Sequence, residues 1–85
     1  MIKNRFKIDT NTMDIKQKVG LRVKALADIS GLSIKHLAWD SNLDPAYIYS
    51  VIRGERNISL IAIEKICSAV GISVSEFFND TEFTN

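Results

Sequence analysis

Residues able to do covalent chemistry are sparse in this chain. His36 is the only histidine and Cys67 the only cysteine. No carboxylates stand at a spacing that would complete a metal site or a catalytic triad around either of them. Neither a metal, a cofactor nor an enzymatic activity is expected. Chemistry of another kind is concentrated in Asp44-Pro45-Ala46-Tyr47-Ile48-Tyr49-Ser50-Val51-Ile52-Arg53-Gly54. This stretch reads as a helix with marked ends: Asp44 as its cap, the only proline at its first position and Gly54 as its stop. Its outer positions carry the hydroxyls of Tyr47, Tyr49 and Ser50, where a surface helix usually carries lysine and glutamate. Those hydroxyls raise the question of what the helix touches.

The elements that hold such a helix must come from one small domain. The chain has 85 residues, of which 46% are hydrophobic and 25% charged, the balance of an ordinary soluble domain. With 4 glycines and 1 proline it is not a loop-rich chain. A domain of this size buries only about 60% of its unfolded surface, so a compact helical fold that gains from dimerisation is expected. No apolar run approaches the ~18 residues of a membrane span, and the basic start lacks a secretory apolar region. Cys67 falls on an apolar helical stripe and is read as a packing residue in a reducing cytoplasm. The charge is polarised: residues 1–36 hold 8 cations and 3 anions, a net +5, and residues 37–85 hold 3 and 7, a net −4. One basic side suits an anionic partner.

Residues 1–12 show partial alternation and fit a short strand or a flexible basic arm. Thr12 predicts a helix start near Met13, with Ile15, Val19, Val23 and Leu26 on one stripe and Gly31 as the stop. Ser33 caps a second helix that turns Leu37 and Ala38 inward, with Trp39 expected to pack on the first helix. After the break at 41–43, the Asp44 helix faces inward with Ile48 and Val51. Ser59 caps a fourth helix with Leu60, Ile63, Ile66, Cys67 and Val70 on its apolar stripe, and Gly71 ends it. Ser73 and Glu76 form a capping box for a fifth, which carries Val74, Phe77 and Phe78. Residues 79–85 have no period and read as a flexible tail. The expectation is an all-α domain of five short helices over 13–78.

The segment from Ile34 to Arg53 meets the demands of two helices crossing through a tight turn. Ala38 is small where the helices approach, Asn42 tolerates positive φ in the turn, and Leu37, Leu43, Ile48 and Val51 are apolar around it. At these residues the chain resembles the phage-repressor helix-turn-helix domains of the Xre/Cro type. The similarity spans roughly Ile15 to Phe78 and rests on "GLSxxxLA" from Gly31, "YIxxxxRGxRN" from Tyr47 and "AxGISxSEFF" from Ala69. The resemblance implies a five-helix domain that binds operator DNA as a homodimer with its third helix in the major groove. Carried over residue by residue, it implies base-facing positions at Asp44, Pro45, Ala46, Tyr47, Tyr49 and Ser50. Of the two tyrosines, which point about 200° apart, Tyr47 is favoured as partly facing DNA.

None of these six is Arg, Lys, Gln or Asn, the side chains that read guanine or adenine bidentately. Pro45 and Ala46 can touch thymine methyls, and Asp44 is foremost a cap. Phosphate contacts are implied at Ser33, Lys35, Arg53, Arg56 and Asn57, with Lys16, Lys18, Arg22 and Lys24 as weaker candidates. The family's frequent glutamine at the start of the second helix is here Ile34. Its frequent Arg–Glu pair is replaced by Ala27 and Ile52, a double change that leaves no charge stranded. Phe77, Phe78 and Phe83 are the candidates for a dimer interface, one of them being core. No membrane partner is expected, and no small-molecule effector domain fits the length. The alternative is a protein-interaction module, such as an antitoxin or anti-repressor partner, which the near-neutral net charge favours.

Overall fold

The computed structural model describes residues 13–84. Five α-helices follow in order: α1 (Ile15–Ser30), α2 (Ile34–Asp40), α3 (Pro45–Ile52), α4 (Leu60–Val70) and α5 (Val74–Phe78). A 3₁₀ turn, Thr81–Phe83, closes the described chain. The alternatives weighed for residues 1–12 lie outside the described residues.

Each helix begins where a short polar side chain satisfies a free backbone N–H. Ser33, Asp44, Ser59 and Ser73 cap α2 to α5 as their sequence positions require, and Glu76 completes the capping box of α5. The first helix differs from expectation. Its cap is Asp14, not Thr12: Asp14 accepts from the Gln17 N–H at 3.0 Å and the Gln17 side chain accepts from the Asp14 N–H at 2.8 Å. This reciprocal pair starts the helix at Ile15. Asn42 takes φ 57° in the turn between α2 and α3, where Leu43 N–H donates to the Ala38 carbonyl at 2.8 Å.

The core is contributed by all five helices. Val19, Val23, Leu26 and Ala27 from α1 meet Leu37 and Ala38 from α2, Ile48 and Val51 from α3, Ile63, Ile66 and Cys67 from α4, and Phe77 from α5. Burial raises the Cys67 thiol above its usual pKa, with Glu64 and Glu76 adding to the shift and Arg22 opposing it, so the group stays protonated and unreactive at neutral pH. Gly20 lies where α1 crosses α3. A Cβ there would overlap the Val51 carbonyl oxygen and stand 2.9 Å from that of Ile52. The apolar replacement of the family's ion pair is seated: Ala27 is buried and Ile52 packs half-buried on the core.

Residues 79–84, read as a flexible tail from their lack of period, make contacts with α1 and α5. Arg22 reaches across from α1, donating from Nε to the Phe77 carbonyl at 2.7 Å and from Nη2 to the Glu76 carbonyl at 2.8 Å. Its Nη1 pairs with Asp80 at 2.8 Å. A cation thus meets the carbonyls at the end of α5, and Phe83 lies tilted against Phe78 with ring centroids 5.1 Å apart. The Asp80 carboxyl is held below its usual pKa, chiefly by the Thr81 N–H; desolvation opposes this, and the Arg22 guanidinium adds a smaller lowering. A lowered native pKa contributes stability that is complete above the unfolded carboxylate value of about 3.9 and is lost as pH falls through the native value. Urea midpoints measured from neutral pH down to acid should therefore fall less steeply in Asp80→Asn than in wild type. Equal acid limbs would remove Asp80 from the clamp.

Candidate nucleic-acid interface

Helix α3 is anchored by Ile48 and Val51, which are fully buried, so its opposite side is fixed outward. Ala46, Tyr49 and Arg53 recur at three- and four-residue spacing and are all exposed, making one stripe along the helix. Tyr49 is 43% exposed. Pro45 is half-buried beside them at the first position, and the Asp44 carboxylate is spent on the cap, accepting from Ala46 N–H at 2.9 Å.

Tyr47, favoured as partly facing DNA, is the more covered of the two tyrosines, and Tyr49 the more exposed. Tyr47 is half-buried against the core, and its hydroxyl accepts from the Ser59 N–H at 3.0 Å. The Arg56 guanidinium lies over its ring, 5.6 Å from the centroid. Ser50 faces the same way: its hydroxyl donates to the Tyr47 carbonyl at 2.7 Å and accepts from Arg56 Nε at 3.1 Å. Tyr47 and Ser50 thus tie α3 to the 53–59 loop and draw Arg56 alongside the helix. The reason is angular. Each lies one residue before a core position, so each borders the packed side, whereas Tyr49 follows Ile48 on the outer side.

The other expected residues fall into place around this centre. Ser33 uses its hydroxyl to cap α2, accepting from His36 N–H at 3.0 Å. Lys35 is exposed on α2 with its ammonium 5.8 Å from the Trp39 ring centroid. Trp39 itself is 62% exposed, not packed on α1, because Leu37 and Ala38 take the inward side of the short α2. Arg53 is exposed and paired with Glu55 at 3.1 Å, and Asn57 is exposed on the loop. Arg22 is committed to the end of α5 and Lys24 to Asp28, at 3.0 Å one turn away. Arg22, 11% exposed at its side chain, is withdrawn as a phosphate contact.

A second surface lies where the interface candidates Phe77, Phe78 and Phe83 were sought, with a different membership. Phe77 is fully buried, so of the three phenylalanines it is the core one and not an interface residue. Leu60 was expected inward and is instead 80% exposed, and Ile15 is exposed as well. Leu60 stands in the first turn of α4, ahead of the point where the helix meets its neighbours. Leu60, Ile61, Val74 and Phe78 form an exposed apolar face on α4 and α5. Among the described residues, no group of His, Cys, Asp or Glu is arranged to hold a metal and no helix is long and apolar enough to cross a membrane.

Residues 23–77 match the model of the helix-turn-helix family. The chain belongs to that family. As an Xre-type helix-turn-helix protein it is a DNA-binding transcriptional regulator. It is similar to the control protein C.MunI of Mycoplasma sp, with 40% identity over 70 residues, covering 81% of this chain and 95% of the relative. It is also similar to the control protein C.BamHI of Bacillus amyloliquefaciens, with 33% identity over 75 residues, 87% of this chain and 93% of the relative. Among solved structures, the restriction-modification controller protein C.AhdI from Aeromonas hydrophila superposes with a TM-score of 0.71 at 41% identity, covering 74% of this chain and 96% of that one. This helix-turn-helix protein therefore matches C.MunI and C.BamHI in sequence, and C.AhdI in shape, across nearly their whole length.

Proposed function

We propose that this regulator controls the genes of a restriction–modification system, binding a pseudo-palindromic operator as a homodimer with α3 in the major groove. The observation that carries the DNA-binding geometry is the outward Ala46–Tyr49–Arg53 stripe, with Arg56 drawn alongside it by Ser50 and Tyr47. The similarity to control proteins C.MunI and C.BamHI supports the class of gene controlled. The helix offers a thymine-methyl contact from Ala46 and one uncommitted phenolic hydroxyl from Tyr49. Asp44, Pro45, Tyr47 and Ser50 shape the surface around them. Arg56, Arg53, Asn57, Lys35 and the first turn of α2 at Ser33 supply cations and donors for phosphates. Selectivity then comes from modest base contact together with duplex shape.

Selection from random duplexes followed by fluorescence anisotropy tests this reading. A two-fold-related sequence should be enriched, with affinity falling steeply as salt rises. Arg56→Gln should weaken binding about equally across sequences and reduce the salt slope by about one. Tyr49→Phe should weaken discrimination between operator and scrambled DNA. Tyr47→Phe should instead lower folding stability by about 0.5–1.5 kcal/mol, since it loses one internal hydrogen bond, and leave discrimination in place. Equal enrichment of all sequences, or affinity indifferent to salt, would defeat the reading.

A further inference from the structure

We infer that Arg53 and Glu55 act together to read one guanine–cytosine pair in each half of the operator, Arg53 on the guanine and Glu55 on the cytosine. This rests on the DNA-binding reading above and moves Arg53 from the phosphates to a base edge. Between residues 45 and 59 the charged side chains are Arg53, Glu55 and Arg56, so Glu55 is the one anion of that segment. Arg53 closes the outward stripe of Ala46 and Tyr49, while Arg56 is engaged by Ser50 and Tyr47. The chain turns back through Gly54, at φ 76°, and the Glu55 N–H donates to the Ser50 carbonyl at 3.0 Å. Residue 55 is thereby held against the end of α3, and its carboxylate meets Arg53 Nε at 3.1 Å.

The fold has little use for this pair. Its side chains are 56% and 59% exposed, and an ion pair so open to solvent contributes little stability. Phosphate does not account for it either. A carboxylate repels phosphate, so a surface that served only to grip the backbone would bind more tightly without Glu55. A base pair does match it. In the major groove guanine presents two acceptors, N7 and O6, and the cytosine paired with it presents a donor, N4. With Nε nearest the carboxylate, the Nη1 and Nη2 end of the guanidinium is left to donate to guanine. The Glu55 carboxylate alongside accepts from the cytosine amine. An adenine–thymine pair sets a donor against Arg53 and an acceptor against Glu55, so the same two charges reject it. Glu55 thus steadies Arg53 and adds the acceptor that an arginine lacks.

The test uses the full chain and the operator selected from random duplexes, with binding followed by fluorescence anisotropy. Selection should return a guanine–cytosine pair at one fixed place in each half-site. Arg53→Ala should stay folded by circular dichroism and lose about ten-fold in affinity for that operator, with little loss on scrambled duplex. Replacing the guanine by 7-deazaguanine, which lacks the N7 acceptor, should weaken wild type and leave Arg53→Ala unchanged. Glu55→Ala should narrow the preference for guanine–cytosine over adenine–thymine at that place by about five-fold. Specific binding without a fixed guanine–cytosine pair overturns the inference. Equal losses of Arg53→Ala on operator and scrambled duplex overturn it too, by making Arg53 a phosphate contact, and leave the DNA reading standing. A uniform gain by Glu55→Ala on every sequence likewise overturns it, since the carboxylate then only repels. No specific binding by wild type is a failure of the DNA reading itself.

Discussion

Gly20→Ala is expected to lower folding stability by about 3 kcal/mol and to abolish operator binding at temperatures where wild type is still folded. The new methyl has no room. It would overlap the Val51 carbonyl oxygen and crowd that of Ile52, both of them backbone atoms. A flexible side chain can swing away, but these carbonyls belong to the last turn of α3. Relief requires α1 and α3 to move apart, which unseats Val23 and Ile48 from the core and displaces the helix that carries Tyr49. The usual gain of an alanine over glycine within a helix, up to about 1 kcal/mol, is outweighed. Thermal or urea denaturation followed by circular dichroism measures the loss. A stable, fully active Gly20→Ala would mean that the two helices are not held at this distance.

Phe77→Ala is expected to be more damaging, by about 3–5 kcal/mol. The ring is fully buried and packs edge-on against Phe78 at 4.8 Å between centroids. The Arg22 guanidinium lies 5.9 Å from the centroid of the Phe77 ring. Removing it leaves a cavity at the junction of α1, α4 and α5 that the short α5 cannot close. Total stability of a domain this size is of the order of 5–10 kcal/mol, so the variant should be partly unfolded at physiological temperature. Phe78→Ala is the informative comparison. That ring is 37% exposed and lies on the apolar face of α4 and α5. It should cost far less in folding and more in dimer affinity. Similar folding losses in the two variants would contradict the division of the phenylalanines into one core residue and one surface residue.

Much of the site was legible in the sequence because its signals are local. Asp44 with Pro45 marks the start of α3, and Asn42 marks the turn, since capping and positive φ are set by a residue and its immediate neighbours. Angular position around α3 was less certain. Tyr47 and Tyr49 differ by two residues, and a small rotation decides which ring borders the core. The loop settled it, for the Ser59 N–H and Arg56 engage Tyr47 from 12 and 9 residues away in the chain. The tail gave no periodic signal because its anchor, Arg22, lies 58 residues earlier than Asp80.

The sequence by itself determined the five helices, nearly all their caps, the inward residues Val23, Leu37, Ile48, Ile66 and Cys67, and the helix-turn-helix at 34–53. These follow from spacing, propensity and backbone demands that act within one or two turns. Only the tertiary structure decided that Gly20 is a contact point, that Arg22 closes the C-terminal segment and that Leu60 and Ile61 face outward as Phe77 faces in. Each of those depends on which other helix lies opposite a given side chain. Hydrophobic periodicity reports that a helix has an apolar side, but burial requires a partner, and in the first turn of α4 Ala62 and Ile63 find one while Leu60 and Ile61 stay exposed.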